Sequence, residues 1–410
     1  MGILYLFDVA TVIIGVIYIL YQIVYVIISL SHKPIIFPDA SPKKYAILVS
    51  ARNEEAVIGN LLQCLHDQKY PDEKYDIFVV ADNCIDKTAQ IARSFGAKVY
   101  ERFNQEKVGK GWALAFLFDK MFADNVQNKY DAFIIFDADN TMESDYLSQM
   151  NKCFSAGYDV VTSYRNSKNF SGNWISSGTA LWFIRESRMI NNTRMILGNN
   201  CHAGGTGFLF SKKIMLRNKG WKHHLITEDL EFSIDCILHK DKIGYCGQAI
   251  LYDEQPISFT QSWRQRLRWS KGFLQVFRHY SKEMIRHAID EKDFSSIDMT
   301  LLLCPWMVIF IIREVLAAVY ILFDNVSLES QINTSLTLML GFLFSTVPMT
   351  VVVIITVFAE RKNIRATNLE LLVYSFTFPI YVLSYIPISF QAIFSRPEWK
   401  PIIHTGQGSN

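Results

Sequence analysis

Ala132-Phe-Ile-Ile-Phe-Asp-Ala-Asp139 is the stretch that decides the fold. Its apolar run is too short for a buried helix and suits a strand covered on both faces, as in a parallel sheet. Two acids follow immediately. Ala138 separates them, so Asp137 and Asp139 leave the strand toward one side while the alanine points to the other. Outward from this run lie two more of the same kind, Tyr45-Ala-Ile-Leu-Val-Ser50 and Tyr75-Asp-Ile-Phe-Val-Val80, and a shorter one at Ala97–Glu101. Helical patterns at Glu55–Gln68, Lys87–Phe95 and Trp112–Phe122 fall between them. This alternation predicts an α/β, Rossmann-like, mostly parallel sheet with ligands at the carboxyl ends of its strands. Those ends read Ala51-Arg-Asn-Glu-Glu55, Ala81-Asp-Asn-Cys-Ile-Asp86 and Asp137-Ala-Asp139. Neither GxGxxG nor GxxxxGK[ST] occurs, which disfavours dinucleotide and P-loop chemistry.

Like charges as close as Asp137 and Asp139 repel unless a cation sits between them. Carboxylate oxygens suit Mg²⁺ or Mn²⁺, which in turn would hold a diphosphate. Asp86, before a helix, reads as an N-cap. Thr227-Glu-Asp229 precedes the periodic Leu230, Phe232, Ile234 and Ile237. Two readings stand: Thr227 caps a helix whose positive end favours the acids, or Asp229 takes a proton from an attacking hydroxyl. Gln265-Arg-Leu-Arg-Trp269 lies in a basic amphipathic segment, Ser262–Arg286, predicted to rest on the inner leaflet. There Trp269 offers a flat face for a sugar ring, and Arg268 a planar fork for a leaving diphosphate. Cys201-His202 reads as part of an acceptor-side loop rather than a metal site, and His223-His224 as a solvated pair.

The chain has 410 residues, 50% hydrophobic and 20% charged, with a net charge of +2. Its mean hydropathy is +0.13. This excludes a disordered chain, disfavours a purely soluble one and gives no global reason to expect nucleic acid. Seven scattered cysteines form no CxxC and read as reduced thiols. Ile3–Leu30 carries only Asp8 and is long enough to span a bilayer, without the basic start and cleavage site of a secretory signal. Thr300–Phe323, broken only by Arg313 and Glu314, and the uncharged Thr334–Ala359 are two further predicted spans. Leu371–Phe394 is uncharged but holds Pro379 and Pro387, which favours an interfacial segment. Basic residues at Lys33, Lys43, Lys44, Arg361, Lys362 and Arg365 put the body in the cytosol. Arg313 and Glu314, costly in lipid, should face protein, water or product. The expected organisation is a membrane helix over 1–32, a cytosolic catalytic domain over 33–261 and amphipathic interface helices over 262–298. Two spans over 299–360, an interfacial segment over 361–395 and a cytosolic tail over 396–410 complete it.

Taken together, Asp82 in Ala-Asp-Asn, Asp137-Ala-Asp139, Thr227-Glu-Asp229 and Gln265-Arg-Leu-Arg-Trp269, in that order, resemble the membrane-integrated family 2 glycosyltransferases. That group includes bacterial cellulose synthase, poly-N-acetylglucosamine synthase and hyaluronan synthase. The resemblance covers about residues 44–285. It implies a GT-A catalytic domain, a UDP-sugar donor, Mg²⁺ or Mn²⁺, and inversion at the anomeric carbon. Carried over by motif, Asn53, Glu54, Asp82 and Lys110 belong to the donor side, and Asp137 and Asp139 to the metal diphosphate. Asp229 is the general base within Thr227-Glu228-Asp229, Gln265 and Trp269 meet the acceptor, and Arg268 meets the pyrophosphate. Trp399, His404 and Thr405 resemble a gating loop in the tail. The resemblance implies a processive inverting synthase at the plasma membrane, elongating a β-linked polysaccharide, with UDP-glucose and a β-glucan favoured by the Leu-Glu after Thr-Glu-Asp. Alternatives are a poly-N-acetylglucosamine-type synthase using UDP-GlcNAc and a non-processive enzyme with a lipid-linked acceptor. With so few spans, polymer export would call for a second copy, an accessory subunit or a groove completed by the interfacial segment, the alternative being a short or lipid-linked product. A transporter or scaffold is disfavoured by the full acidic series.

Overall fold

A computed structural model describes residues 2–305 and 346–395, with isolated positions between 308 and 319. Trp399, His404, Thr405, Glu314 and parts of the two spans expected over 299–360, including all of 320–345, lie outside the described residues.

An eight-stranded sheet forms the body, in the order β3-β2-β1-β4-β7-β6-β8-β5. Its strands are β1 Tyr45–Ala51, β2 Tyr75–Asp82, β3 Lys98–Arg102, β4 Ala132–Asp137, β5 Thr141–Met142, β6 Val160–Ser167, β7 Phe208–Ser211 and β8 Ile243–Asp253. β1, β2, β3 and β4 pair in parallel, as do β6 and β8. β7 runs antiparallel between β4 and β6, and β5 antiparallel to β8, so the sheet is mixed though mostly parallel. β1 and β4 are almost wholly buried, as their unbroken apolar runs require. The crevice between their carboxyl ends is where the strand order reverses direction, the natural ligand site of an open α/β sheet.

Two helix boundaries differ from expectation. The first crossover helix is Ile58–His66, not Glu55–Gln68. Asn53 has φ +56°, and a turn in which Val57 and Ile58 N–H both reach Glu54 C=O precedes the helix. The third begins at Lys110, two residues before Trp112, directly after Gly109 with φ +129°.

Around the body lie the apolar elements. Helix Gly2–Ser31 contains a 23-residue stretch, Val9–Ser31, of mean hydropathy 2.4, and Asn368–Phe394 is a second run long and apolar enough to cross a membrane. The latter is two helices, Asn368–Leu383 and Tyr385–Phe394. Pro387 falls in the first turn of the second, where its missing N–H costs nothing. One face of the pair is docked. Arg266 donates to Tyr381 C=O at 3.1 Å, Lys271 to Ala392 C=O at 2.9 Å, and Trp263 to Gln391 at 2.8 Å. The other face exposes Leu369, Leu372, Phe376, Ile380 and Phe394.

Candidate active site

The turn after β4 is built before its carboxylates are used. Asp137 N–H donates to Asn140 Oδ1 at 3.0 Å and to Thr206 Oγ1 at 2.9 Å, and the Thr206 hydroxyl donates to Asn140. Asp137 pairs with Lys110, whose ammonium also donates to Gly205 C=O at 2.7 Å. Asp139 is 7% exposed, and its Oδ2 accepts from Glu254 N–H at 3.3 Å. Burial works against the Lys110 charge, but Asp137, Glu228 and Asp229 outweigh it and raise its pKa. Among the described residues no cluster of three or more His, Cys, Asp or Glu could hold a metal ion. Two carboxylates are nevertheless the donor set a Mg²⁺-like ion takes when waters and substrate phosphates complete its shell.

Glu228 and Asp229 open the helix Glu228–Leu238. Thr227 holds the capping position, yet its hydroxyl makes no capping bond and is unpartnered among the described residues. The expected Thr227 cap is therefore not made. Glu231 ties the preceding loop to the helix: its Oε2 accepts from His224 and Leu225 N–H, each at 2.9 Å. Burial, then Asp229, pushes the Glu228 carboxyl up to about 8.

Helix Phe259–Asp290 brings the Gln265-Arg-Leu-Arg-Trp269 face to this point. It comes so near that a Cβ at Gly272 would overlap the Thr227 side chain. Arg268 is held below its usual range by burial, only partly offset by Glu228, Asp137 and Asp229. Trp269 meets the Phe183 ring edge-to-face at 5.7 Å. Arg165 stacks over the same Phe183 ring, its guanidinium 3.6 Å from the centroid, and donates to Asp253 at 2.6 Å. Arg165, Phe183 and Asp253 were not legible as site residues. The available signal was that Asp253 ends a strand, as Asp137 does.

Asp82 is 4% exposed and paired with Arg102 at 2.5 Å; burial raises its pKa against the pull of Arg102 and Arg52. Asp86 accepts from Thr88 N–H at 3.0 Å and Thr88 Oγ1 at 2.6 Å, capping helix Thr88–Ser94 from one residue before its N-cap, Lys87. His223 and His224 are not a solvated pair: the first is buried and the second half-buried. His223 is 1% exposed and held near pKa 3 by burial, and His224 stacks on Trp112 at 3.7 Å. Gly111 permits this, since a Cβ there would strike His223 C=O.

A cavity of about 1190 Å³ gathers these groups. Glu54, Asp82, Lys110, Asp137, Asp139, Thr227, Glu228, Asp229, Gln265, Arg268 and Trp269 all line it. Asn53 does not. It is exposed, and its Oδ1 accepts from Ile85 N–H at 2.9 Å, stapling two loops outside the wall. From the carboxylates the cavity continues between Gly15, Ile19 and Gln22 of the N-terminal helix and Leu303, Ile309, Arg313, Met349 and Val352.

A model of the family described as "Glycosyltransferase like family 2" matches residues 42–272. The β-monoglucosyldiacylglycerol synthase of Synechocystis sp. is 27% identical over 256 residues, covering 60% of this chain and 52% of that protein. The poly-β-1,6-N-acetyl-D-glucosamine synthase of Staphylococcus epidermidis is 24% identical over 234 residues, covering 56% of this chain and 55% of that one. The chain thus spans about half the length of the curated relatives it matches. Among solved structures, the mannosyltransferase PcManGT of Pyrobaculum calidifontis, in complex with GDP-Man and Mn²⁺, superposes with a TM-score of 0.56 at 14% identity. That match covers 88% of this chain and 99% of the other and is a likeness of fold. With a matching family model across the sheet and the site-bearing helices, and a GT-A body beneath them, the chain belongs to glycosyltransferase family 2.

Proposed function

We propose that this enzyme transfers a sugar from a UDP-sugar, with inversion, to a hydroxyl on a lipid-borne acceptor at the cytosolic face of the plasma membrane. One observation carries the choice of acceptor: the cavity that holds Asp229 is also lined by Val16, Ile19 and Ile23 of one helix long enough to meet a bilayer and by Val382, Leu383 and Ile386 of the second apolar run of that length. A lipid tail fits such a wall better than a hydrated polymer does. The glucosyl-lipid name of the Synechocystis relative supports it.

Within the site, Asp229 takes the proton as the acceptor oxygen attacks the anomeric carbon. The bond from that carbon to the diphosphate breaks in the same displacement, and UDP leaves. A single displacement by the acceptor oxygen gives inversion. Arg268 and Lys110 offset the charge that develops on the leaving group. Asp137 and Asp139 would hold Mg²⁺ or Mn²⁺, which supplies further neutralisation of the diphosphate. Asp82 faces the nucleoside end, and Gln265 and Trp269 face the acceptor. The N-terminal helix spans the bilayer, while Phe259–Asp290 and Asn368–Phe394 lie at its inner surface, the latter with its apolar face outward.

A second reading, polymer synthesis, is favoured by Tyr18, Tyr21, Trp182 and Trp269 on the cavity wall, where sugar rings would stack. Incubating the full chain in vesicles that contain diacylglycerol and monoglucosyldiacylglycerol, with UDP-[¹⁴C]glucose or UDP-[¹⁴C]GlcNAc and Mn²⁺, separates the two. Label extracted into organic solvent as a low-mass glycolipid is expected. Label confined to insoluble, high-mass product would overturn the lipid reading.

A further inference from the structure

The cavity holds a second polar pair that the transfer step leaves unused. Helix Trp174–Arg185 does not end at Arg185 but continues through a wider, π-helical turn, Glu186–Asn191, into helix Asn192–Leu197. Such turns weaken a helix and gather at functional sites. Glu186 opens this one, and its Oε1 lies 2.8 Å from His202 Nδ1. A carboxylate only accepts, so Nδ1–H is the donor of this contact, and Nε2 is the ring nitrogen left to meet a ligand. His202 is 7% exposed, and its Nε2 has no partner among the described residues. Both residues line the cavity.

The ring is held in place from two sides. His202 N–H donates to Asn191 Oδ1 at 3.1 Å, at the far end of the same π turn. The next residue, Ala203, donates to Ser233 Oγ at 3.1 Å, and that hydroxyl donates to Asp229 C=O at 2.9 Å. A single serine therefore ties the His202 loop to the turn that carries the base. On the membrane side Arg185 donates to Gln22 of the N-terminal helix at 2.9 Å. The pair thus stands between the base and the membrane helix.

We propose that Glu186 and His202 form a hydroxyl-binding subsite for the acceptor head group: Glu186 orients the ring, and His202 Nε2 makes a hydrogen bond with a hydroxyl other than the one that reacts. The inference rests on the lipid-acceptor reading and narrows it. An acceptor with a single hydroxyl, such as diacylglycerol, can satisfy Asp229 but not His202. A sugar or polyol head group on a lipid satisfies both, so a glycolipid is the preferred acceptor.

The test uses the full chain in nanodiscs with dodecyl β-D-glucoside and diacylglycerol as alternative acceptors. Wild type is expected to favour the glucoside. His202→Ala should raise the KM for the glucoside about tenfold, the scale of one lost hydrogen bond in a buried site. The KM for the UDP-sugar and the rise in melting temperature on adding UDP should stay within error, which a general loss of structure would not allow. Glu186→Gln, which keeps the shape, should shift the same constant in the same direction. Equal loss with both acceptors, an unchanged glucoside KM in both variants, or wild-type preference for diacylglycerol overturns the subsite while leaving a lipid acceptor intact. No transfer to any lipid by wild type overturns the lipid reading itself, and the subsite with it.

Discussion

Gly272→Ala tests how the two halves of the site are set against each other. A Cβ at this position would lie 2.7 Å from Thr227 Oγ1 and 3.0 Å from Thr227 Cβ, and closer still to Cγ2. Carbon atoms come to rest at about 3.5–4.0 Å, so the helix and the Thr227 turn must separate by roughly 1 Å. Thr227 is 6% exposed, which leaves little room to absorb the shift. Alanine gains about 1 kcal/mol over glycine within a helix, while overpacking costs about 1–3 kcal/mol. The net loss of stability should therefore be small, at most about 2 kcal/mol. Activity should suffer far more. One side of the contact carries Asp229 and the other Arg268 and Trp269, and a misplacement of roughly 1 Å costs on the order of 100-fold in rate. The assay is UDP release by the full chain in nanodiscs, with the melting temperature followed in parallel. Thr227→Ala removes Cγ2 and Oγ1 and leaves only the 3.0 Å approach to Cβ, so Gly272→Ala should slow the Thr227→Ala enzyme much less than it slows wild type, a coupling visible in the cycle. A Gly272→Ala enzyme within twofold of wild type, or a double variant as slow as Gly272→Ala multiplied by Thr227→Ala, would refute the reasoning.

Two further outcomes follow from the carboxylates. Asp139→Asn and Asp137→Asn should each weaken Mn²⁺ binding in the presence of UDP by at least tenfold, read as free Mn²⁺ by electron paramagnetic resonance; unaltered binding in both folded variants would remove these residues from the metal site. Glu228 makes stability pH-dependent. With its carboxyl raised from 4.5 to about 8, the folded chain holds more protons than the unfolded chain between those values. That contribution to stability therefore falls as pH rises through the window and is lost above it. Denaturation in EDTA should show Glu228→Gln with a flatter profile from pH 5 to 8.5 than wild type, and parallel profiles would show that the group is not buried as described.

The buried strands and the chemistry at their ends were legible for a local reason. Unbroken apolar runs at 45–49, 77–80 and 132–136 can be satisfied only by burial on both faces, and acids placed just past such runs must emerge at one edge of the sheet. Spacing along the chain carries that information without any knowledge of what lies opposite. The reading failed where burial depends on the partner. His223 and His224 look solvated in a polar stretch, but His223 is buried and His224 half-buried against Trp112, because Gly111 lets a helix close over them. Thr227 has the form of a cap, but its hydroxyl is pressed toward Gly272, and Glu231 ties the preceding loop to the helix.

By itself, then, the sequence determined a mostly parallel sheet, the carboxylates at its edge and the order of the motifs, since each depends on side-chain character and local period. Only the tertiary structure decided which surfaces meet. It inserted β7 antiparallel between β4 and β6, set Arg165 and Phe183 behind Trp269, and paired Glu186 with His202 across a gap of 16 residues. Those contacts join side chains from different elements, and no periodicity within one element records the packing that brings them together.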